Sequence, residues 1–476
     1  MTPPAGGSPI DASHWVGIAD RFMASHRWII AIEALAVSTT GLRRLRDQGL
    51  PAPFVIAGSE GTGELPEPGL AEVVVLGTSA SDGETPMMSG IRAFEAALRD
   101  LPDEVIERIR AWDPGGEARV LTSFLDREAA IDGRPTVGAR PEAWARLEDK
   151  LTADDLWEAA GVAHVPGRVV AATGRELPAA HTELDLGMGT VWACDTTEGW
   201  HGGAEYLRWV RGGADLEPAL EFVGRRSRRV RVMPFLEGVP CSIHGMVFPD
   251  TVAVFRPIEL LTLREPEGGR LWYGGTASTW DPPEADREEM RAVARRVGRH
   301  LADTAGFRGA FTVDGVMTAA GFRPTELNPR FGGGLFNIAQ GSDIPLVAIH
   351  RALIAGMEFD YRPADLEAVA VAAADANRVM RGMFAVKSPA ERTEECPIRL
   401  AAGGVDETPP EARSGSLVFG PAGHGGIVLV RIDPEHTPSG VQAAPFVASG
   451  LRLAARRWGL PIPDLEAAPD VRRPPA

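Results

Sequence analysis

From Trp28 onward, apolar runs of strand length alternate with stretches of helical periodicity. RWIIAIEAL is followed by STTGLRRLRDQG, FVIAG, AEVVVLG and MMSGIRAFEAALRDLP, which predicts strand, helix, strand, strand and helix. This alternation is typical of an α/β unit with a parallel sheet. No GxGxxG segment follows the first strand, so the dinucleotide-binding fingerprint is absent. We expect residues 1–142 to form one α/β domain.

A lid-like segment is predicted after this domain. Helical periodicity spans residues 141–160 and ends at Gly161, as a helix with a glycine C-cap does. Short strands then surround a glycine-rich turn, CDTTEGWHGGAE, and a second helix is expected near 214–223. Because this stretch is too small for an independent core, we expect residues 143–230 to form a small lid.

The third segment combines apolar strands with one long helix. Three runs within 229–262, RVRVMPFLEG, SIHGMVF and TVAVFRPIELLTL, predict an antiparallel meander. An amphipathic helix at 286–306 precedes two further strands, at 309–318 and 322–330. These elements predict an α+β unit at residues 231–380.

The last part of the chain is expected to form a smaller α+β unit. Beyond Arg381 the pattern changes to short strands rich in Gly and Pro, with one helix near 445–458. We assign residues 381–476 to this appended unit and a tail. The length of 476 residues agrees with several domains, and the predicted fold class is α/β and α+β.

Charge and composition exclude several classes of function. The formal net charge of −16 argues against a general nucleic-acid or membrane-surface binder. Apolar stretches are shorter than the roughly 20 residues that a membrane span requires, and MTPPAGGSPIDASH contains no secretory signal. The three cysteines are too few and too scattered for a disulfide framework or a zinc cluster. We expect a cytoplasmic protein with no nucleic-acid or membrane partner.

The strongest chemical signal lies on the pair of strands at 309–330. Asp314 is central in the first strand, and Glu326 and Asn328 are two residues apart in the second. Residues i and i+2 of a strand share a face, so Glu326, Asn328 and Arg330 project together. Two carboxylates and an amide oxygen suit Mg2+, which keeps waters and substrate phosphates as its other ligands. The alternative is an exposed polar face on an antiparallel pair.

Four segments, in this order along the chain, resemble the ATP-grasp carboxylate–amine ligases. LEDKLTADDLWEAAGVAHVPG is similar to the D-K helix of that superfamily, and RVRVMPFLEG is similar to its adenine-hinge strand. VDGVM resembles the first metal-ligand strand, and TELNPRFGGG resembles the E-x-N-x-R strand. The resemblance covers about 145–350. It implies an ATP-grasp fold with a pre-ATP-grasp domain (1–142), a lid (143–230) and a catalytic subdomain (231–380), and ATP and Mg2+ as cofactors.

The resemblance also implies roles for individual residues. Lys150 matches the lysine that reaches the ATP phosphates; the alternative is a solvated helix lysine, although only two of the 49 basic residues are lysines. Arg330 matches the arginine that holds the carboxylate or the oxyanion. The phosphate-covering loop is matched by Glu198, Gly199, His201, Gly202 and Gly203. The adenine hinge is matched by Met233, Phe235 and Leu236, and Glu237 matches a partner of either the ribose or the hinge. The alternatives are a hairpin turn for the loop and a buried strand end for the hinge.

The sequence departs from the superfamily pattern at one position. A second phosphate-binding lysine usually closes the strand before the glycine-rich loop, but VWACD places Cys194 and Asp195 there. Arg256 in FRPIELL is the candidate for the missing charge, and a solvated strand arginine is an equal alternative. We do not expect Cys194 to be a nucleophile, since no histidine partner is evident.

A finer resemblance concerns PFLEGVPCSIHG, in which Pro240 replaces an acidic residue of related ligases. Together with GWHGGAEYLRW, this segment is similar to actinobacterial natural-product peptide ligases of the pheganomycin type. That implies an ADP-forming ligase of antibiotic biosynthesis, which joins an amino-acid-like carboxylate to a peptide or amino acid amine through an acyl phosphate. We interpret His244 in this segment as structural rather than catalytic.

Two other functions are open at this point. A non-catalytic nucleotide-binding protein would keep the same scaffold; the missing lysine favours it and the intact set of metal ligands opposes it. An enzyme that forms a thioester or transfers phosphate is the other alternative, and no phosphohistidine-type segment is evident. A homodimer is compatible with the sequence.

Overall fold

The computed structural model describes residues 12–78, 85–122, 128–195 and 202–472. Its N-terminal unit consists of α1 (Ser13–Ala24), β1 (Trp28–Ala34), α2 (Thr39–Asp47), β2 (Phe54–Ser59), β3 (Glu72–Val75), α3 (Pro86–Arg99), α4 (Asp103–Trp112), β4 (Arg119–Thr122), β5 (Ala130–Ile131) and β6 (Arg134–Pro135). The order β3-β2-β1-β4, with parallel pairing throughout, confirms the predicted parallel sheet. Neighbouring residues of β2 pack on opposite faces, Phe54 with α4 and Val55 with α2.

A broken helix leads from this unit to the lid. It consists of α5 (Glu142–Ala145), two 3-10 turns (Arg146–Glu148 and Lys150–Thr152) and α6 (Ala153–Ala159). The prediction of one continuous helix over 141–160 is wrong. The chain unwinds at Asp149, whose backbone is extended and whose carboxylate accepts a hydrogen bond from the backbone N–H of Leu151 at 3.0 Å. The break turns the side chain of Lys150 toward the protein interior, where it is buried.

The lid is a small antiparallel sheet with its own apolar core. Its elements are β7 (Arg168–Ala171), α7 (Glu176–Leu184), β8 (Thr190–Cys194), β9 (Leu207–Val210), a 3-10 turn (Gly213–Asp215), α8 (Leu216–Gly224) and β10 (Arg229–Pro234). The strands lie in the order β7-β10-β8-β9. Trp192, Val210 and Val223 are fully buried between the sheet and its helices, so the lid holds its shape by side-chain packing.

A large antiparallel sheet forms the next unit. Its elements are β11 (Val239–Val247), β12 (Val252–Val254), β13 (Ile258–Glu265), β14 (Arg270–Ala277), α9 (Glu284–Ala305), β15 (Gly309–Thr318), β16 (Gly321–Asn328), α10 (Gly333–Ser342), α11 (Leu346–Ile354) and α12 (Pro363–Ala376). The strand order is β16-β15-β11-β13-β14, with β12 on β11. The second and third runs of the predicted meander pair here, but the first run is β10 of the lid. That part of the prediction is wrong because the chain turns between the sheets at Gly238, which has a φ of +141°.

The C-terminal unit continues this large sheet. It consists of β17 (Met380–Val386), β18 (Glu394–Ala401), β19 (Gly404–Glu407), β20 (Gly415–Ala422), β21 (Gly425–Ile432) and α13 (Ala444–Trp458). β17 pairs with both β14 and β21, so the sheet runs without interruption into this unit. The buried carboxylate of Glu259 on β13 accepts hydrogen bonds from the N–H groups of Ala443 and Ala444, where α13 begins. No helix in the described ranges is both long and apolar enough to cross a membrane.

Candidate active site

The hairpin of β15 and β16 brings together the three side chains that were predicted to bind a metal. Asp314 lies opposite Glu326, and Thr312 lies opposite Asn328. The amide Nδ2 of Asn328 donates to Asp314 Oδ2 at 2.7 Å, and the hydroxyl of Ser242 on β11 donates to Asp314 Oδ1 at 2.5 Å. The alternation of side chains along each strand therefore places these groups on one face.

The electrostatics of this group favour a cation. Burial and the neighbouring carboxylate of Glu326 raise the pKa of Asp314 to about 7, against the opposing effects of Ser242, Arg330 and Lys150. Two carboxylates that repel one another in a buried position are stabilised by a positive charge between them. The described ranges contain no cluster of three or more His, Cys, Asp or Glu side chains arranged to hold a metal. A metal held by these two carboxylates and Asn328 would therefore need water or phosphate oxygens to complete its coordination, as Mg2+ commonly does.

Lys150 reaches this group from the broken helix. Its Nζ lies 2.6 Å from Glu326 Oε1, and its side chain is only 8% exposed. A solvated helix lysine would not be buried in this way. The ammonium group therefore sits beside the candidate metal ligands.

Arg330 is held in a chain of buried ion pairs. Its Nε donates to Glu148 Oε1 at 2.7 Å and its Nη2 donates to Asn328 Oδ1 at 2.9 Å. Arg140 Nη1 donates to the other carboxylate oxygen of Glu148 at 3.1 Å. Burial alone would raise the pKa of Glu148, but Arg330 and Arg140 outweigh it and lower the pKa to about 2. Glu148 and Arg140 were not among the predicted site residues. The sequence feature that could have indicated Glu148 is its position two residues before Lys150.

A cavity of about 220 Å³ extends from this polar group to the hinge between the lid and the large sheet. The hinge end is apolar and is lined by Val191, Leu207, Met233, Pro234, Phe235, Leu236, Leu260 and Leu271. The ring of Phe235 stacks on Trp209 with a centroid distance of 4.3 Å, which fixes one wall of the slot. An apolar slot of this kind suits the ring of a heteroaromatic base. Of the predicted hinge residues, Met233, Phe235 and Leu236 all line it.

Glu237 and Arg264 form an ion pair at the edge of the hinge. Arg264 Nη2 lies 2.6 Å from Glu237 Oε1, and Arg264 lines the cavity whereas Glu237 does not. The guanidinium carbon of Arg264 lies 4.9 Å from the centre of the Phe235 ring. Glu237 thus positions Arg264, and Arg264 is a cavity residue that the sequence analysis missed.

The glycine-rich loop is described only at its end. Gly202 and Gly203 line the cavity, and Glu198, Gly199 and His201 lie outside the described residues. Met87 and Met88, in the first turn of α3, complete this wall of the cavity. The N-terminal unit is also linked to the lid by Arg92, whose two terminal nitrogens each donate to the buried carboxylate of Glu205 at 2.8 Å.

Arg256 lies apart from the cavity. Its guanidinium is fully buried, with Asp281 at 2.7 Å and Asp375 at 3.1 Å. It also donates to the backbone oxygen of Trp280 at 3.0 Å. These groups fix Arg256 inside the protein. Arg256 therefore has a structural role and lies away from the other candidate residues. Burial also raises the pKa of the Cys194 thiol to about 11, which agrees with the expectation that it is no nucleophile.

Comparison with solved structures shows the fold. The biotin carboxylase domain of Hydrogenobacter thermophilus 2-oxoglutarate carboxylase, in complex with MgADP, ADP and bicarbonate, has a TM-score of 0.53 at 12% identity, covering 86% of both chains. Biotin carboxylase from Campylobacter jejuni has a TM-score of 0.51 at 13% identity, covering 86% of this chain and 88% of that one. Rhizobium etli pyruvate carboxylase has a TM-score of 0.52 at 14% identity, covering 86% of this chain and 36% of that one. No protein-family model matches the sequence, and no curated protein is similar to it at a significant level. The architecture is the ATP-grasp fold predicted from the sequence.

Proposed function

We propose, from the ATP-grasp fold and the arrangement of the cavity, that this protein is an ATP-dependent ligase. It would join a carboxylate to an amine through an acyl phosphate and release ADP. The observation that carries this proposal is the convergence of Asp314, Glu326, Asn328 and Arg330 at one end of a cavity whose other end is an apolar slot. Lys150 does not line this cavity but pairs with Glu326 behind it. The MgADP bound by a protein of the same fold supports it.

Asp314, Glu326 and Asn328 would hold Mg2+. Their oxygens are hard ligands, and burial together with the carboxylate of Glu326 raises the pKa of Asp314 to about 7, so a bound cation would favour its ionised form. Bound there, the metal supplies charge that offsets the negative charge of the β- and γ-phosphates. Ser242 donates to one oxygen of Asp314 and the amide nitrogen of Asn328 donates to the other. Since Asn328 Oδ1 accepts from Arg330, metal binding would require the Asn328 amide to exchange these partners.

The proposed reaction has two steps. In the first, a substrate carboxylate oxygen forms a bond to the γ-phosphorus of ATP while the bond to the bridging oxygen breaks, and ADP leaves. In the second, the amine nitrogen bonds to the acyl carbon, phosphate leaves, and the nitrogen gives up a proton. Lys150 and Arg330 contribute the positive charges that hold these anions together and stabilise charge as it develops.

We further propose that the substrates are an amino-acid-like carboxylate and a peptide or amino acid amine, as in natural-product peptide ligases. The motif resemblance of PFLEGVPCSIHG supports this. A smaller cavity of about 20 Å³ adjoins the main one, and both are lined by Met87, Gly203 and Tyr273. Met383 and Phe384 of the C-terminal unit also line this smaller cavity, so the C-terminal unit borders the main cavity on this side.

The test is an assay of ADP and phosphate release from MgATP with pooled amino acids and dipeptides, with products identified by mass spectrometry. We expect ADP and phosphate in equal amounts together with a dipeptide or tripeptide. Glu326→Gln is the matched inactive control. MgATP binding without ADP release in any mixture would favour the non-catalytic nucleotide-binding alternative, and failure to bind MgATP would contradict both.

A further inference from the structure

The smaller cavity beside the main one, which we call the side pocket, lies where all four units of the chain meet. Its wall includes Met87 of α3, Gly203 of the lid, Trp272 and Tyr273 of β14, and Met383 and Phe384 of β17. Met87, Gly203 and Tyr273 also line the main cavity, so the side pocket opens into it. A group bound in the side pocket would therefore belong to a molecule that also occupies the main cavity.

The side pocket opens on the side of the candidate metal ligands. The residues that line the apolar hinge end of the main cavity do not line the side pocket. Burial, reinforced by Asp314, raises the pKa of Tyr273 to about 12 against the opposing effect of Arg330, so the charges of the candidate site act on this ring. A substrate that reacts beside the metal ligands could thus extend into the side pocket, whereas the base of a nucleotide in the hinge slot could not.

The volume of the side pocket limits what it can hold. It measures about 20 Å³, and roughly 10–15 Å³ of such space is needed for one water molecule. A methyl or a hydroxyl group is similar in size to a water molecule. The pocket therefore accommodates one such group, and a branched or aromatic side chain exceeds it.

The wall of the side pocket disfavours a charged group. The described residues that line it carry no charged side chain, and most of them are apolar. An unpaired charge in such surroundings is strongly destabilised. Thr85 is 8% exposed, and its Oγ1 has no hydrogen-bond partner within the described part of the chain. Because a buried hydroxyl is usually satisfied by a partner, the wall suits a hydroxyl group as well as a methyl group.

Contacts outside the side pocket hold its wall together. The ion pair of Arg92 on α3 with the buried Glu205, two residues after Gly203, ties the lid to α3. The turn between β20 and β21 also approaches α3 closely, since a Cβ at Gly90 would lie 3.2 Å from His424 Nδ1. Widening of the pocket at α3 would have to disrupt these contacts.

Met383 is the wall residue that separates pocket size from core packing. Along β17, Phe384 is buried in the apolar core of the C-terminal unit, whereas Met383 is partly exposed and does not belong to that core. Neighbouring residues of a strand point to opposite faces, which accounts for the difference. A shorter side chain at position 383 would therefore enlarge the pocket and leave the core intact.

We propose that the side pocket binds a short, uncharged substrate side chain that ends in a methyl or hydroxyl group, and that Met383 limits its length. This rests on the proposed ligase function. Both the carboxylate substrate and the amine substrate could carry such a side chain, and the sequence of the product distinguishes them. The C-terminal unit would then select the substrate by size.

A series of amino acids tests the size limit. Glycine, alanine, serine, valine, leucine, phenylalanine and aspartate are each offered in the ADP-release assay with one fixed partner that supports turnover. We expect the highest kcat/KM for alanine and serine, and values at least about tenfold lower for leucine, phenylalanine and aspartate. Mass spectrometry of the product shows whether the selected amino acid supplied its carboxylate or its amine. Equal kcat/KM across the series in both positions would overturn the proposal.

Two wall variants change the size of the pocket in opposite directions. Met383→Ala should raise kcat/KM for leucine relative to alanine at least about tenfold. Ala385→Val, which fills the pocket, should lower kcat/KM for alanine and leave that for glycine nearly unchanged. The control is Met357→Ala: Met357 is also partly buried, packs on another core and lines neither cavity. Urea denaturation checks that each variant folds, and a wild-type order of substrates in both wall variants would overturn the role of the pocket.

A measurement without turnover distinguishes failure of the side pocket from failure of the ligase proposal. Carbon-13 labelling of the methyl groups of the 12 methionines, with the Met383 signal identified by its loss in Met383→Ala, reports on the wall directly. We expect this signal to shift when alanine is added to the MgADP-bound protein, and to stay in place with phenylalanine. A shift without ADP release in any mixture would support the pocket and contradict the ligase. ADP release with the wild-type order of substrates in Met383→Ala and no shift would overturn the pocket alone, and the absence of both ADP release and a shift would overturn both.

Discussion

The two ends of the cavity are built in different ways. One end holds the candidate metal ligands Asp314, Glu326 and Asn328, and we call it the metal end. Every candidate there is a polar side chain that forms a hydrogen bond or an ion pair with another: Asn328 with Asp314, Lys150 with Glu326, and Arg330 with Glu148. At the hinge end, most of the lining side chains are apolar, and Arg264 is a charged side chain that lines the cavity beside Phe235. Side-chain identity therefore determines the chemistry at the metal end, whereas the path of the chain determines it at the hinge.

This difference predicts unequal tolerance to substitution. A residue that belongs to an ion-pair chain cannot be removed without leaving a partner unsatisfied in a buried place. An apolar residue in a slot can be exchanged for another of similar volume at small cost. Substitutions at the metal end should thus change activity, and they should also reduce stability most where both partners of an ion pair are buried, as in Arg330 and Glu148. Substitutions at the hinge should change little.

Arg330→Ala should have the largest effect. It removes one of the two cations that contact the buried carboxylate of Glu148, so we expect a loss of about 3–5 kcal/mol in the free energy of unfolding. ADP release should fall as well. Urea denaturation measures the stability, and Arg399→Ala, which breaks an exposed pair with Asp406, is the control and should leave the midpoint nearly unchanged. Equal midpoints for the two variants would contradict the importance of the ion-pair chain.

Glu326→Gln should affect activity and leave folding nearly intact. Its carboxylate is partly exposed and pairs with Lys150, so the amide can still occupy the position. Removal of one preorganised charge typically lowers the rate about 10²–10³-fold, and we expect that loss in ADP release. Calorimetric titration with Mg2+ in the presence of ATP should show weakened metal binding. Wild-type turnover would remove Glu326 from the site.

The free energy of unfolding should depend on pH through the buried Glu148 of the metal end. Its folded pKa of about 2 lies below the ordinary value of 4.5, so the unfolded chain binds the proton more readily. The stabilisation is complete above about pH 4.5 and is lost as the pH falls toward 2. Urea denaturation of the wild-type protein and of Glu148→Gln, at several pH values from neutral to acid, measures this stabilisation. The difference in stability between the two proteins should shrink as the pH falls; a constant difference would contradict the assignment.

Met233→Leu at the hinge should have the smallest effect. The substitution conserves volume and leaves the backbone of β10 in place, so its cost should stay below about 1.5 kcal/mol. The KM for ATP should then change less than about tenfold. A larger change would mean that the Met233 side chain itself recognises the base, and the contrast between the two ends would fail.

The sequence predicted the hairpin of β15 and β16 and the shared face of its polar side chains, because that signal is local. Glu326 and Asn328 are two residues apart in one strand, and strand geometry alone places them on one face. Glu148 and Arg330 are 182 residues apart, and no local pattern indicates that they meet. The hinge residues were predicted only through the resemblance of their motif to a known superfamily.

Two parts of the fold were not predictable from local preference. Residues 333–342 are rich in glycine, which disfavours helices, yet they form α10 because Leu335 and Ile338 are fully buried in the core beneath it. The periodicity of 141–160 fits a continuous helix, but the hydrogen bonds of Asp149 and the ion pair of Lys150 break it. In both places tertiary contacts outweigh propensity.

The pairing of β17 with β14 has a practical consequence for anyone who wants to shorten this protein. Deletion from residue 380 onward would expose the backbone of β14 along Gly275–Ala277 and leave the carboxylate of Glu259 without the amides of Ala443 and Ala444. A bare strand invites pairing with other molecules. Expression of the truncated chain should therefore give aggregates, and a shortened form that stays in solution would have to keep the C-terminal strands.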